Sequence, residues 1–159
     1  MIKKVKQILI TGSTGFIGSE LLKELSVDNK IYITLRKKNK THIKNKNINK
    51  LYFDDYHKLN NKLKKINVDT VIHCATHYVK YHKTKDIKKL SDSNILFGNI
   101  ILENLDKMKV KNFINFSTVW EDYDGTKDNC FNLYAVYKKN FSNLINFYSK
   151  RFKKIKFFN

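Results

Sequence analysis

Apolar residues fall along this chain in short continuous runs that alternate with longer amphipathic stretches. Gln7–Thr11 (QILIT), Ile31–Leu35, Leu51–Phe53, Asp69–Cys74 (DTVIHC), Asn112–Ser117 and Ile155–Phe158 are short and rich in β-branched and aromatic residues, which predicts strands. Between them, Ser19–Val27 carries Leu21, Leu22 and Leu25 at helical spacing, and helices are likewise expected near Tyr56–Ile66, over much of Ile87–Met108 (Leu90, Leu102, Leu105) and over Leu133–Lys150. Regular strand–helix alternation predicts an α/β domain, a doubly wound parallel sheet built from βαβ units. Lys37–Lys50 is polar and basic and is expected to be a solvated loop. The pattern stops inside the sixth strand, where such a domain does not usually end. One domain over residues 1–159 is therefore expected, cut in or after that strand, with more chain in a full-length relative.

Composition narrows the partners. The hydrophobic fraction of 42% suffices for one core, and no apolar run approaches the roughly 18 residues of a membrane span. The apolar run after the basic N-terminus, ILI, is too short for a signal peptide, so a cytoplasmic protein is expected. Cys74 and Cys130 make no disulfide framework and sit in no metal-ligand spacing, so no metal site is expected. The net charge of +18 raises the possibility of a nucleic-acid-binding domain. Against it, the 32 basic residues include only Arg36 and Arg151 as arginines and are scattered among asparagines, whereas base readers favour the arginine fork. Neither nucleic acid nor membrane is the expected partner, although so basic a surface should attract anions.

The chemistry begins at Thr11–Gly18, TGSTGFIG, between the first strand and the first helix. In that context Gly12 allows a tight turn, Gly15 lets backbone approach a pyrophosphate, and Gly18 lets the helix pack closely on the sheet. Thr14, Phe16 and Ile17 belong to the same loop, and the helix N-terminus offers N–H donors to phosphate. A Rossmann-type dinucleotide site is expected here. Farther on, NLYAVYKKNF contains YxxxK, which places Tyr134 and Lys138 on one helix face. A phenol titrating near pH 10 needs a depressed pKa for acid–base work near neutrality, and Lys138 beside it is expected to stabilise the phenolate.

The TGxxGxxG spacing, followed by YxxxK after the fifth strand, resembles the extended short-chain dehydrogenase/reductase family, the nucleotide-sugar epimerase/dehydratase kind. The resemblance covers all of this chain but only the first half or so of a full-length member, and implies a C-terminal substrate domain absent here. It places the ribose-reading position at Arg36, followed by Lys37 and Lys38. An acid there suits the 2′-OH of NAD and a cation the 2′-phosphate of NADP, so NADP is the expected cofactor, with NAD the alternative. Asp54 matches the acid that contacts adenine, with the adjacent Asp55 leaving the register open by one. The segment His73-Cys74-Ala75-Thr76 resembles the HxAA stretch that passes under the cofactor, with His73 structural. Asn94 matches the asparagine that stabilises the active site, while Phe97 stands where relatives often carry glycine. Thr118 matches the Ser/Thr that binds the substrate oxygen, beside Tyr134 and Lys138 as proton donor and its partner.

A closer likeness lies in FINFSTVWEDYDG and FNLYAVYKKNF, which resemble the CDP-abequose synthase branch. Trp120, Tyr123 and Asn132-Leu133-Tyr134-Ala135 carry it. Glu121 and Asp122 replace a Gln-His pair, and Tyr137 replaces a small residue. The implied activity is hydride transfer between the nicotinamide and a carbon of a nucleotide-linked sugar, as an epimerase, dehydratase or reductase with 4-keto sugar reduction favoured, in surface-polysaccharide biosynthesis, with a nucleotide-sugar and a second copy of the chain as partners. An NADP-binding module without turnover remains the alternative.

Overall fold

The computed structural model describes residues 5–37 and 43–159. Lys38, part of the basic run after Arg36, lies outside them. Six strands, β1 (Gln7–Thr11), β2 (Lys30–Arg36), β3 (Ile48–Phe53), β4 (Thr70–His73), β5 (Asn112–Asn115) and β6 (Lys156–Phe158), form one sheet in the order β3-β2-β1-β4-β5-β6, every neighbouring pair parallel. The chain winds outward from β1 to β3, then returns to the other side of β1 as β4. The C-terminal ends of β1 and β4 therefore flank the crevice where open α/β sheets bind ligands.

The pleat sends alternate residues of β1 to opposite faces. Leu9 joins Val71 and Phe113 under α2 (Tyr56–Leu63), α4 (Phe97–Glu103) and α5 (Leu133–Arg151). Ile8 and Ile10 join Ile31, Ile33 and Leu35 on the other face, where α1 (Phe16–Leu25) contributes Leu22. Each fully buried side chain of this size contributes about 1.5–3 kcal/mol, so the two faces hold the sheet from both sides.

Element boundaries follow local bonds that the apolar pattern does not carry. Helix α1 starts at Phe16, three residues before Ser19, because it runs straight out of the glycine loop. Helix α2 is capped by Asp55, whose carboxylate accepts the Lys58 N–H at 2.8 Å, and it ends at Leu63 rather than Ile66. The single helix expected over Ile87–Met108 is compound. It opens as α3 (Thr84–Ser91), with the Asp86 carboxylate accepting the Lys83 N–H at 2.8 Å. It then widens into a π-helical segment, Asp92–Leu96, where Phe97 N–H donates to the Asp92 carbonyl five residues back. Helix α4 follows and stops at Glu103, where the Asn104 amide folds back onto the Ile100 carbonyl at 2.8 Å. Strand β5 closes at Asn115, two residues before Ser117, and a 3-10 segment kinked at Asp122–Asp124, Val119–Gly125, for which the pattern offered no signal, follows.

Candidate active site

A cleft of about 430 Å³ opens at the crevice between β1 and β4. Its floor is the glycine loop. Gly12 has φ +68°, and a Cβ there would lie 2.6 Å from the Ala75 nitrogen, so both conformation and space demand glycine. A Cβ on Gly18 would overlap the Gly12 carbonyl oxygen, which is how α1 packs onto the loop. Gly15 differs. Its backbone is extended, and a Cβ would meet only the Gly12 oxygen, at 3.3 Å. The protein itself constrains position 15 far less than 12 or 18, and Gly15 lines the cleft together with Thr14, Phe16 and Ile17. A bare backbone surface at a helix N-terminus is the cradle a pyrophosphate requires, and these residues fit a dinucleotide. Phe16 is 90% exposed at the mouth, an apolar ring with no protein covering it.

The wall beyond the loop is formed by Thr34, Leu35 and Arg36 at the end of β2, and by Phe53 at the end of β3. Asp54 stands one residue past this wall. Its carboxylate pairs with Lys37 at 3.0 Å and Lys58 at 2.9 Å, which hold it well below the usual carboxylate range. Asp55 is committed to capping α2. Opposite, Phe97 lines the cleft and stacks on Phe53, centroids 5.8 Å apart and planes within 5°. The close approach comes one residue later: a Cβ on Gly98 would overlap the Phe141 ring.

Cys74, Ala75 and Thr76 supply the β4 side. The Thr11 hydroxyl accepts the Ala75 N–H at 3.3 Å and shares a hydrogen bond with His73 Nδ1 at 2.9 Å. His73 itself is 2% exposed. Buried among Phe97, Phe113 and Phe141, with the Lys138 charge nearby, its pKa is pushed down to about 3. Asn94, in the π-helical segment, does not line the cleft. Its side chain accepts from Thr76 Oγ1 (3.0 Å) and His77 N (2.7 Å) and donates to the His77 carbonyl (2.9 Å), fastening the loop that does.

Helix α5 brings the chemistry-bearing pair to this edge. Asn132 caps it, accepting the Ala135 N–H at 2.9 Å. The Tyr134 hydroxyl shares a hydrogen bond with the Thr76 hydroxyl, so the phenol adjoins the cleft, and its ring meets Tyr78 edge-on at 5.2 Å. Lys138 is 5% exposed; its ammonium donates to the Phe116 carbonyl, and its field reaches Cys74. Here the structure departs from expectation. Burial raises the Tyr134 pKa above its ordinary value, the Glu121 carboxylate adds to that, and Lys138 is not among the groups that set it. Burial in turn lowers the Lys138 pKa. Thr118 caps the 3-10 segment, accepting the Trp120 N–H at 3.4 Å. Glu121, absent from the sequence-based site, bonds the Ser117 hydroxyl and lies 3.5 Å from that of Ser142. Its only trace in the sequence was the departure from the Gln-His pair.

Residues 8–158 match the model of the NAD dependent epimerase/dehydratase family. The chain belongs to that family. A dTDP-D-glucose 4,6-dehydratase from Dictyostelium discoideum is 31% identical over 134 residues, covering 72% of this chain and 29% of its own length. Among solved structures, a UDP-N-acetylglucosamine 4-epimerase from Methanobrevibacter ruminantium superposes with a TM-score of 0.80 at 17% identity, over 98% of this chain and 54% of that one. The Bordetella bronchiseptica enzyme WbmH, solved with NAD+, gives 0.78 at 18% identity, over 97% and 55%. These likenesses show the fold, and this chain spans about half the length of those structures. Among its described residues no helix is long and apolar enough to cross a membrane.

Of the site residues expected from sequence, Gly12, Thr14, Gly15, Phe16, Ile17, Gly18, Arg36, Cys74, Ala75 and Thr76 line the cleft, while Asp54, Asn94, Thr118, Tyr134 and Lys138 are not part of its lining. Thr34, Leu35, Phe53, Ser93 and Phe97 line it without having been expected. Strand ends beside a glycine loop are the signal that could have found the first three. Ser93 arrives through the π-helical turn, which the apolar pattern does not reveal.

Proposed function

We propose that this chain is the dinucleotide-binding part of an NADP(H)-dependent nucleotide-sugar oxidoreductase, with reduction of a 4-keto sugar as its favoured reaction. The observation that carries the proposal is one cleft lined by the Gly15 backbone and by Thr76, the residue whose side chain bonds the Tyr134 hydroxyl. Arg36 at the ribose end favours a 2′-phosphate over an acid's preferred 2′-OH. The sugar assignment rests on the CDP-abequose synthase likeness around Trp120, Tyr123 and Tyr134, and surface-polysaccharide biosynthesis is the setting it implies. The part that grips the nucleotide-sugar belongs to sequence outside residues 1–159, and relatives such as the Methanobrevibacter ruminantium protein, solved with a UDP-sugar, fit that class of partner.

When bound, the nicotinamide supplies or accepts the hydride. The chain's own residues do the rest. The glycine loop and helix α1 hold the phosphates. Tyr134 moves the proton at the sugar oxygen, which Thr118 orients. Lys138 leaves the Phe116 carbonyl for the ribose and the phenolate, reversing the burial that keeps the phenol protonated. Calorimetric titration with NADPH and NADH tests the cofactor assignment: the wild type should favour NADPH, and Arg36→Asp should reverse the order. Equal affinities in both proteins would sink it. A second reading, an NADP-binding module without turnover, is favoured by the engagement of Lys138 with Phe116. NADPH oxidation with a CDP-linked 4-keto-6-deoxy sugar separates the two, since the module would bind cofactor and consume none.

A further inference from the structure

The ribose end of the cleft is braced by contacts that the glycine loop does not require. Arg36 lines the cleft, its Nη2 donates to Tyr56 Oη at 3.2 Å, and its guanidinium lies 6.0 Å from the centre of that ring. Tyr56 Oη donates in turn to the Asp92 carbonyl at 3.0 Å, the same carbonyl that accepts Phe97 N–H across the π-helical turn. A phenol has one proton. With that proton committed to Asp92, the oxygen's lone pairs face Arg36. The Tyr56 ring is itself fixed, stacked on Phe53 at 6.1 Å and tilted on Phe97 at 6.4 Å.

The neighbouring cation is treated differently. Lys37 is neutralised by Asp54 at 3.0 Å. Among the described residues no carboxylate pairs with Arg36, so a neutral partner fixes its direction and leaves its charge intact. Holding a long, rotamer-rich side chain before the ligand arrives removes the ordering cost from binding.

We infer that Tyr56 is a positioning residue for cofactor selection: it aims the Arg36 guanidinium at the site of the 2′-phosphate and so sets the NADPH-to-NADH affinity ratio without touching the nucleotide. The inference rests on the proposed preference of this site for NADP(H). It also assigns the π-helical segment a use, since its Asp92 carbonyl anchors the brace.

The test is calorimetry of NADPH and NADH on the 159-residue wild type, Tyr56→Phe, Arg36→Ala, the double variant and Arg36→Lys. Tyr56→Phe should lower the NADPH-to-NADH ratio about fivefold, the size of one hydrogen bond, with NADH affinity unchanged. In the Arg36→Ala background it should do nothing more. Arg36→Lys keeps the charge but lacks the planar fork, and should lose preference as Tyr56→Phe does, which carries the test if the tyrosine variant fails to fold. Equal losses for both nucleotides, no loss, or an additive double variant would overturn the inference, as would full preference in Arg36→Lys. A preference abolished by Arg36→Ala yet intact in Tyr56→Phe overturns it alone. A wild type with no preference overturns the NADP(H) proposal and the inference together.

Discussion

Around the glycine loop the cleft is made of backbone, and Gly15, the loop glycine with the mildest steric constraint, lines the cleft. Around α5 the candidate catalytic groups are already bonded to protein: Lys138 to Phe116, Tyr134 to Thr76, Ser117 to Glu121, and Thr118 to the Trp120 N–H. The first region is shaped before any ligand comes, because helix α1 and strand β1 hold it whatever the side chains do. The second is a balance of competing hydrogen bonds, and its chemistry requires exchanging some of them. Cofactor binding and proton transfer therefore place different demands on the same small domain, and separate variants should tell them apart.

The sharpest contrast lies within the loop. Gly12→Ala should cost about 3 kcal/mol or more of folding stability, combining the left-handed conformation with overlap at Ala75. Urea unfolding measures it, and a small loss would mean the turn relaxes. Gly15→Val should keep the fold by circular dichroism while weakening NADPH binding at least about 100-fold, because a side chain would fill the phosphate cradle. Unchanged affinity would reduce TGSTGFIG to an ordinary turn.

His73 joins the two regions, bonded to Thr11 on one side and packed on Phe141 on the other. Its folded pKa of about 3 lies below the ordinary 6.5. Between those values the unfolded chain binds the proton and the folded one does not. Stability is therefore full above pH 6.5 and falls toward pH 3, by about 1.4 kcal/mol per pH unit. Denaturant curves at pH 7 and pH 5 should differ by about 2 kcal/mol from this source. The difference should shrink in His73→Gln, which also separates it from the similarly directed shift of His77. A pH response identical in that variant would place the titration elsewhere.

The α5 region should respond more mildly in binding. Lys138→Ala is expected to weaken NADPH about tenfold, through loss of a charge-assisted hydrogen bond to the ribose. Tyr134→Phe should change affinity by less than about twofold, since the phenol serves proton transfer rather than binding. Equal effects of the two changes would mean that the pair does not divide its labour.

How much of this could be read from the chain differs by region. The strand runs and TGSTGFIG put Gly12, Gly15 and Gly18 in a loop between β1 and α1 that lines the cleft, because local backbone geometry and a fixed spacing leave few alternatives. YxxxK put Tyr134 and Lys138 on one face of α5, since helix geometry alone does that. It could not place the Phe116 carbonyl under the ammonium or Glu121 beside Ser117, because those partners come from the β5 side through the non-periodic 3-10 segment.

Sequence by itself determined the layers, the strand order's raw material and the glycine loop, all consequences of periodicity and of what glycine permits. Tertiary structure decided the electrostatics. Asp54 stands outside the cleft wall because Lys37 and Lys58 converge on it. Tyr134 is held protonated because packing buries it. Arg36 is met by a neutral phenol, since Tyr56 reaches it from the next helix. Each outcome depends on distances between residues far apart in the chain, and Coulomb and desolvation energies follow those distances rather than the order of residues.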